Sequence, residues 1–336
     1  MRQNNFDFLR FYFAFIVVIG HIIDISDLAI FQPYSPYFNT YTSVTAFFCI
    51  SGFLIASSYT RNQSVTKYFK KRAARILPPY ILIIVVCAVS LSLISQYSFS
   101  EYFTHPQFAK YLLANLSFLN FVTPCLPGVF TSERLTDCSV NGALWTLKIE
   151  VAFYVVVPLL FLLMKKINRK YIVLLIIYLL AVLYRTTLGQ LAESTENGLL
   201  KILARQLPGF MSYFACGIAL HYYFDIFIRY KKWFFAAGVI LFAFEAFVDW
   251  EIFTPFALST LVFSIAFSLK RLNNFGKYGD ISYGIYIFHC PIIKMATDFG
   301  YFERYNPYVV ACIIILIVLT AGFLSWHLLE KKFLKR

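Results

Sequence analysis

The amino-acid sequence predicts an all-α protein in which about ten helices cross a membrane and both termini lie in the cytoplasm. Of the 336 residues, 60% are hydrophobic and only 14% are charged, a composition that water-soluble domains seldom show. Apolar stretches recur along the chain, and Lys and Arg are concentrated in alternate connections between them. We therefore expect one integral membrane domain over residues 1–336, in a multi-pass protein of the plasma membrane.

The apolar stretches justify the predicted helices one by one. A hydrocarbon core about 30 Å thick is crossed by roughly 20 apolar residues in a helix. The candidate stretches are 8–28, 42–60, 77–97, 143–164, 171–188, 200–222, 233–249, 254–269, 278–297 and 308–328. Those at 233–249 and 254–269 are short and closely linked, so nine or eleven helices also fit the pattern.

Basic residues set the predicted orientation. With the N-terminus inside, 22 of the 30 Lys and Arg residues fall on the cytoplasmic side, including Arg2, Lys335 and Arg336. The basic residues are spread over every inner connection, so membrane topology explains the net charge of +13 and no nucleic-acid partner is predicted. Arg10 interrupts the first apolar stretch and no small-residue cleavage site follows it, which indicates an uncleaved first helix.

His21 is the first candidate catalytic residue. Ten mostly apolar residues separate it from Arg10, which corresponds to about 16 Å along a helix. With Arg10 at the inner edge of the hydrocarbon core, His21 falls near the midplane. An ionisable side chain is costly there and usually marks a functional site.

Glu150 is the second candidate catalytic residue. It follows Asn141 by nine positions, about 13 Å at helical rise, on a helix predicted to enter from the outer side. The depths of His21 and Glu150 therefore nearly coincide, and we expect the two side chains to pair inside the bundle. Such a pair would orient the imidazole as a general base, although a purely structural hydrogen bond is the alternative. On the same helix, Trp145 fits the outer aromatic belt, and Tyr154, one turn below Glu150, either contacts a ligand or is a buried aromatic residue.

Arg72 and Arg75 lie three positions apart, on one side of a helix at the predicted inner membrane surface. Guanidinium groups in this arrangement can bind phosphates bidentately. Spacing alone favours an ordinary basic loop against anionic lipid.

Other polar residues carry weaker predictions. Ser51 and Gly52 lie in the second apolar stretch, where Gly52 is expected to serve helix packing and Ser51 either packing or ligand contact. Arg205 lies inside the sixth stretch and either steers an acceptor or extends to the outer interface. His289 is interpreted as a structural residue of the ninth stretch.

Two of the seven cysteines share one predicted outer loop. Cys125 and Cys138 are 13 positions apart, and a disulfide between them is favoured over two unpaired thiols. No metal-ligand spacing is present in the sequence, so no metal cofactor is predicted.

Five segments of the chain carry a family resemblance. They are Phe6–Arg10 followed by His21, Phe48–Phe53, Arg72–Arg75, Asn141–Glu150 and Tyr283–His289. Together they resemble the acyltransferase-3 family of integral membrane acyltransferases, and the likeness continues to His327 and Glu330. Each motif alone is a weak signal, but five in this order, on consistent sides of the predicted membrane, are specific.

The resemblance implies transfer of an acyl group, usually acetyl, from cytoplasmic acyl-CoA to a hydroxyl of an extracytoplasmic cell-envelope carbohydrate. O-antigen, capsule and exopolysaccharide units, or lipid-linked glycans, are the expected acceptors. Arg72 and Arg75 match the family's Arg-x-x-Arg motif, thought to hold CoA phosphates. Arg10 and His21 match its motif of a basic residue, ten residues and a histidine, and we expect Arg10 to bind CoA together with Arg72 and Arg75. Direct transfer and transfer through an acylated intermediate both remain open.

A transporter or flippase of glycolipid intermediates is the alternative function. Such a protein would also combine about ten spans with buried His and Glu and basic inner loops. It would be expected to show related halves with helices interrupted at matching positions, and the sequence contains no such internal similarity.

Overall fold

A computed structural model describes residues 4–62, 64–167, 169–248 and 250–334. Arg2, Lys335 and Arg336, which contribute to the predicted orientation, lie outside the described residues. The described part of the chain is helical and contains no β-strand, apart from one isolated bridge between Cys125 and Ser139. The predicted all-α class is confirmed.

The described residues contain sixteen α-helical segments, α1 to α16 in chain order. They are α1 Phe6–Ser26, α2 Thr40–Asn62, α3 Val65–Ser90, α4 Phe99–Thr104, α5 Pro106–Leu116, α6 Trp145–Lys166, α7 Lys170–Thr195, α8 Gly198–Ala204, α9 Leu207–Tyr222, α10 Phe224–Arg229, α11 Lys231–Val248, α12 Thr254–Ala266, α13 Ser282–Asp298, α14 Tyr301–Arg304, α15 Pro307–Ser325 and α16 Lys331–Leu334. Short 3-10 turns cover Gln32–Tyr37, Leu91–Ile94, Gly142–Leu144, Lys270–Leu272 and Phe275–Tyr278, and a π-helical turn covers Trp326–Glu330.

Six helical segments among the described residues are long and apolar enough to cross a membrane. They are Phe6–Ser26, Gln32–Arg61, Val65–Ile94, Gly142–Lys166, Lys170–Thr195 and Pro307–Leu334. The other predicted stretches are helical but shorter or more polar: α9 has 16 residues, α12 has 13 and α13 has 17. α11 has 18 residues but includes Lys231, Lys232 and Glu245. The chain is thus a helical membrane protein.

The stretch 200–222, predicted to form one helix, is divided into α8 and α9. α8 ends at Ala204, Arg205 caps its C-terminus, and α9 begins at Leu207 with Pro208 in its first turn. Proline lacks a backbone N–H and fixes φ, so it favours a new helix start over continuation of the preceding helix. The prediction of one continuous helix over 200–222 is therefore wrong, and Arg205 lies at the break between two helices.

The chain divides into two compact units, each assembled from separate segments of sequence. The first unit contains residues 1–9, 44–69 and 149–275, and the second contains 10–43, 70–148 and 276–336. In the first unit, stacked Phe153 and Phe214 rings, with centroids 4.1 Å apart, join α6 to α9. Because neither unit is continuous in sequence, the division does not separate two consecutive domains.

The second unit is organised around α13 and α15, which pack closely. A Cβ added to Gly284 would lie 2.7 Å from Cα of Gly322, and Ser325 is also close by, with its Cβ at 3.2 Å. Only small residues allow two helical backbones to approach this closely. The contact fixes α13, which carries His289, against α15 and the π-helical turn that follows it.

Candidate active site

His21 and His289 lie side by side in the second unit. His21 is on α1 and His289 is on α13, and Nδ1 of His21 lies 2.6 Å from Nε2 of His289. The imidazole rings are nearly parallel, with centroids 4.9 Å apart and an interplanar angle of 10°. His289 is fully buried, whereas His21 retains partial exposure. The predicted catalytic histidine therefore has a second histidine as its direct partner.

This partner was missed by the sequence interpretation, which assigned His289 a structural role. The two histidines are 268 positions apart, and helical spacing gives no information across such a separation. The available signal was that His21 and His289 each belong to a segment that carries the family resemblance. Their contact adds His289 to the candidate site.

The hydrogen bond between the histidines restricts what His21 can do. One of the two facing nitrogens donates the hydrogen bond and the other accepts it. Nδ1 of His21 is occupied by this contact, so Nε2 is the nitrogen through which His21 can exchange a proton with a ligand.

Cys290 lies next to the histidine pair. One ligand-capable atom from each of His21, His289 and Cys290 lies within 4.8 Å of the other two. Two imidazoles and a thiol could in principle bind a metal ion. Here, however, Nδ1 of His21 and Nε2 of His289 face each other at hydrogen-bond distance. This geometry fits a hydrogen bond between the two rings, and we assign no metal.

The segment before α6 packs against α13 around the same site. Nδ2 of Asn141 donates to the carbonyl of Ile287 at 2.8 Å. The hydroxyls of Thr146 and Tyr286 share a hydrogen bond of 2.7 Å, and the Tyr286 ring lies edge-on to His289, with centroids 5.9 Å apart. The predicted motif around Asn141 thus supports the helix turn that carries His289.

Charged residues gather at the N-terminal end of α13, in a group named here the Asp280 cluster: Asp280, Arg10, Arg75, Ser282 and Glu330. Arg10 Nη1 lies 3.2 Å from Asp280 Oδ2, and Arg75 Nη2 donates to the same oxygen. The other carboxylate oxygen of Asp280, Oδ1, accepts hydrogen bonds from the backbone N–H and the hydroxyl of Ser282. Two predicted phosphate-binding arginines, 65 positions apart in sequence, are therefore brought together by one carboxylate.

The second carboxylate of the Asp280 cluster comes from the π-helical turn. Glu330 Oε2 lies 3.9 Å from Arg75 Nη1, and Glu330 Oε1 accepts a 2.9 Å hydrogen bond from Ser325. The Arg75 guanidinium lies over the Trp326 ring, with Cζ of Arg75 5.9 Å from the ring centroid. Gly279 makes room for this indole, because any Cβ at its φ of +128° would collide with Trp326.

Asp280 stays ionised in this setting. Burial alone would raise the pKa of its carboxyl group, but the charges of Arg75 and Arg10 and the hydrogen bonds from Ser282 lower the pKa to about 2. The carboxylate therefore holds both guanidinium groups in place throughout the physiological pH range. Two arginines against this one carboxylate leave a net positive charge, before Glu330 is counted.

Arg72 is half-buried on α3, one turn before Arg75. Their spacing of three positions places them on the same side of α3, as predicted. Because Arg75 belongs to the Asp280 cluster, Arg72 lies one helical turn from that cluster and adds a third arginine near it.

Glu150 and Tyr154 lie in the first unit, one turn apart on α6. The Tyr154 hydroxyl donates a 2.6 Å hydrogen bond to Glu150 Oε1, and the Tyr154 carbonyl accepts one from the hydroxyl of Tyr68. The pairing of Glu150 with His21 joins residues of the two units and stays a prediction.

The remaining predicted site residues have clear local settings. Ser51 is buried on α2, beside Gly52, and a Cβ on Gly52 would lie 2.2 Å from the Phe214 carbonyl. The packing role expected for Gly52 is thereby confirmed. Trp145 is the first residue of α6 and is half-buried, whereas Arg205 is exposed at the break between α8 and α9. Their contacts with a ligand stay predictions.

A disulfide-closed loop is fastened to the C-terminal end of α13. Cys125 and Cys138 are joined by a disulfide. Nζ of the buried Lys294 donates to a carboxylate oxygen and the carbonyl of Asp137 and to the Ser139 hydroxyl. We call Lys294, Asp137 and Ser139 the Lys294 strap. These three residues tie the loop to the helix that carries His289.

These features define a class of protein: a helical membrane protein with a histidine pair in its interior, one member of which is partly exposed, and an arginine cluster on the same helices. A family model described as an acyltransferase domain matches residues 3–327. The chain therefore belongs to the acyltransferase-3 family, as its motifs predict.

Curated relatives agree with this assignment. The chain is 24% identical over 344 residues to an O-acetyl transferase of Shigella phage Sf6, covering all of this chain and 97% of the relative. It is 27% identical to nodulation protein 10 of Rhizobium leguminosarum bv. viciae, covering 99% and 94% of the two chains. It is also 27% identical to a putative acetyltransferase, ORF330, of Acidianus two-tailed virus, covering 85% and 83%. No solved structure matches the chain significantly.

Proposed function

We propose that this protein is a membrane O-acetyltransferase that moves an acetyl group from cytoplasmic acetyl-CoA to a hydroxyl of an extracytoplasmic cell-envelope carbohydrate. An O-antigen, capsule or exopolysaccharide unit, or a lipid-linked glycan, is the proposed acceptor. The histidine pair on α1 and α13 carries the proposal, because it supplies a partly buried base eleven residues after an arginine of the Asp280 cluster. Relatives named as an O-acetyl transferase and a putative acetyltransferase support acetyl as the group transferred.

The Asp280 cluster and Arg72 are the proposed site for the phosphates of the acyl donor. Arginine forks bind phosphate oxygens bidentately, and Asp280 holds Arg10 and Arg75 in fixed positions. With Arg72 counted, the site has three arginines against the carboxylates of Asp280 and Glu330, and the excess positive charge attracts an anionic ligand. With the phosphates bound there, the pantetheine arm of acetyl-CoA would extend along α1 toward His21, about 16 Å away at helical rise.

His21 is the proposed general base. Its Nε2 takes the proton of the acceptor hydroxyl while the hydroxyl oxygen attacks the thioester carbonyl. The tetrahedral intermediate then expels the CoA thiolate, which receives the proton from His21. Glu150 is the second proposed catalytic residue, since a carboxylate at the depth of His21 would stabilise the imidazolium.

The proposed topology places the donor and acceptor on opposite sides of the plasma membrane. It has about ten crossings and cytoplasmic termini, in accord with the distribution of Lys and Arg. The Asp280 cluster then faces the cytoplasm and the Lys294 strap faces outward, where an oxidising compartment maintains the Cys125–Cys138 bond. Ser51, Trp145, Tyr154 and Arg205 are proposed as acceptor-binding residues.

Transfer of label from radiolabelled acetyl-CoA tests the proposed function. Membranes containing the wild type, His21→Ala or Arg72→Ala/Arg75→Ala are supplied with lipid-linked glycans of the host. We expect labelled glycan with the wild type and a loss of at least about 100-fold with His21→Ala, at equal expression. The double arginine variant should regain activity at higher acetyl-CoA concentrations.

The control is His221→Ala, which removes a half-buried histidine whose partner is Thr60 in the first unit. Equal labelling with the wild type and His21→Ala would remove His21 from the mechanism. No labelling with any variant, for every acyl donor and glycan supplied, would contradict acyl transfer and favour a glycolipid transporter.

A further inference from the structure

We propose that His289 is a positioning residue, which holds His21 in the tautomer that carries its proton on Nδ1 and leaves Nε2 as the base. This inference rests on the proposed function for its catalytic consequence. The tautomer itself can be measured without any acyl transfer.

The direction of the hydrogen bond follows from the surroundings of His289. The second nitrogen of His289, Nδ1, is buried and completes no hydrogen bond within the described residues. Side chains of a helix lean toward the preceding turn, and the main-chain carbonyls of Ile285 and Tyr286 on that turn are the polar groups that act on the His289 ring besides His21. Carbonyl oxygens only accept hydrogen bonds, so a lone pair on Nδ1 would face their lone pairs. The proton of neutral His289 is therefore favoured on Nδ1, which leaves its Nε2 as an acceptor. The proton shared at 2.6 Å then belongs to Nδ1 of His21.

The opposite tautomer would disable the base. If His289 Nε2 donated to Nδ1 of His21, neutral His21 would carry its own proton on Nε2. That nitrogen would then have no lone pair for the acceptor hydroxyl. The catalytic and the inactive arrangement differ only in which nitrogens bear the two protons, and the carbonyls near His289 select the catalytic one.

Packing keeps the two rings in the orientation that this hydrogen bond needs. His289 is fully buried, and the interplanar angle between the rings is 10°. Tyr286 lies edge-on to the His289 ring, and its hydroxyl is tied to Thr146. A base whose second nitrogen is fixed by a third group is the usual arrangement for activating a hydroxyl nucleophile.

Proton balance is maintained through the reaction. The acceptor hydroxyl gives its proton to Nε2 of His21, which becomes an imidazolium, and Nδ1–H continues to donate to His289. The departing CoA thiolate takes the proton from Nε2. His289 gains and loses no proton, so it acts on the reaction only through His21.

Two variants of His289 separate positioning from a structural role. The side-chain oxygen of Gln reaches roughly the position of Nε2, so His289→Gln retains an acceptor, whereas His289→Leu removes it. We expect His289→Leu to lower kcat by about 10²- to 10⁴-fold, with KM for acetyl-CoA changed less than about twofold. His289→Gln should recover a substantial part of kcat. His221→Leu is the matched control, and we expect it to retain wild-type kcat.

The tautomer is read directly by 15N NMR of histidine-labelled protein in lipid nanodiscs. The chain has five histidines, so the His21 signals can be assigned from the spectrum of His21→Ala. We expect protonated Nδ1 and unprotonated Nε2 on His21 in the wild type and in His289→Gln. His289→Leu should shift the proton to Nε2 or give a mixture of tautomers.

The outcomes distinguish this inference from the proposed function. Wild-type His21 protonated on Nε2, or a His289→Leu variant with wild-type kcat, would overturn the positioning role while leaving acyl transfer in place. The predicted tautomer in a protein that transfers no acyl group would instead refute the proposed function. A Glu150→Gln variant tests the separate role of Glu150, and it should leave the His21 tautomer unchanged.

Discussion

The two ends of α13 contain charged groups of different design. At the N-terminal end, the Asp280 cluster collects residues from α1, α3 and the π-helical turn around a carboxylate that two arginines share. At the C-terminal end, the buried ammonium group of Lys294 binds Asp137 and Ser139, two residues of a single loop. His289 lies on the helix between them.

The difference indicates which end recognises a ligand and which end is structural. Together with Arg72, the arginines of this end carry three positive charges against the two carboxylates of the Asp280 cluster, which leaves one in excess. The side chains of Arg10 and Arg75 are 22% and 20% exposed, so phosphate can reach them. The Lys294 side chain is only 5% exposed and is already bound to three oxygens. Excess accessible charge favours ligand binding, whereas a saturated buried charge fastens the loop.

Opening the disulfide tests the structural role of the C-terminal end and has the largest expected effect on stability. Cys125→Ser opens a loop closed across 13 positions, and the chain-entropy model gives a loss of about 3 kcal/mol in the free energy of unfolding. Thermal and denaturant unfolding of purified protein in detergent measure this loss. Cys312→Ser, which removes an exposed free thiol, is the control. A rise in KM for acetyl-CoA without loss of stability would break the comparison.

Arg75→Gln tests ligand binding at the N-terminal end. This substitution removes the charged guanidinium group that is proposed to donate hydrogen bonds to a phosphate of acetyl-CoA. We expect KM for acetyl-CoA to rise about 10- to 100-fold with kcat nearly unchanged. Steady-state kinetics with acetyl-CoA measure both constants. Arg75→Lys keeps the charge without the fork and should lie between Gln and the wild type. If KM stays constant while the protein becomes unstable, the Asp280 cluster is structural.

Asp137→Asn sharpens the account of the Lys294 strap. It leaves the buried ammonium of Lys294 without its carboxylate, while the Asp137 carbonyl and Ser139 still accept hydrogen bonds. Because the Asp137 side chain is 59% exposed, we expect a loss of only about 1 kcal/mol in the free energy of unfolding. The double variant Asp137→Asn/Lys294→Met should be more stable than Asp137→Asn alone. A less stable double variant would mean that Lys294 contributes mainly through its other contacts.

Acid should weaken the Lys294 strap, with the smallest effect of the four. Burial raises the pKa of Asp137, but the hydrogen bonds and charge of Lys294 and the hydrogen bonds of Ser139 lower it overall. A lowered pKa in the folded state means that the carboxylate stabilises the protein above its unfolded pKa of about 3.9, and that this contribution is lost as pH falls below it. Unfolding measured from pH 7 down to pH 3 should show a steeper loss in the wild type than in Asp137→Asn. Equal slopes would contradict this assignment.

The parts of the fold that depend on local pattern could be predicted from the sequence. The first apolar stretch was expected at 8–28 and α1 covers Phe6–Ser26, because a long apolar run with few breakers has one favoured conformation in a membrane. The break at Arg205 could not be predicted with the same ease. Pro208 is tolerated both in the first turn of a helix and inside kinked membrane helices, so its presence alone does not place a boundary.

The sequence indicated several individual residues of the candidate site, but it did not indicate which residues they contact. Arg10 and His21 stand out because ionisable side chains are rare in apolar stretches, and Arg75 stands out because it shares one side of a helix with Arg72. Their partners Asp280 and His289 lie more than 200 positions away, where helical periodicity carries no information. Asp280 also precedes α13 in a short turn, where an acidic residue has an ordinary capping explanation.

The π-helical turn at Trp326–Glu330 makes the winding of the helix part of the site. Ser325 and Glu330 meet at a separation of five positions, which a π-turn allows and a regular α-helix does not. A regular α-helix turns by about 100° per residue, so the same residues wound regularly would place Glu330 about 140° around the helix axis from Ser325. Glu330 would then leave Arg75 although no residue had changed. The charge balance beside the proposed donor site therefore depends on how this turn is wound as well as on which residues it contains.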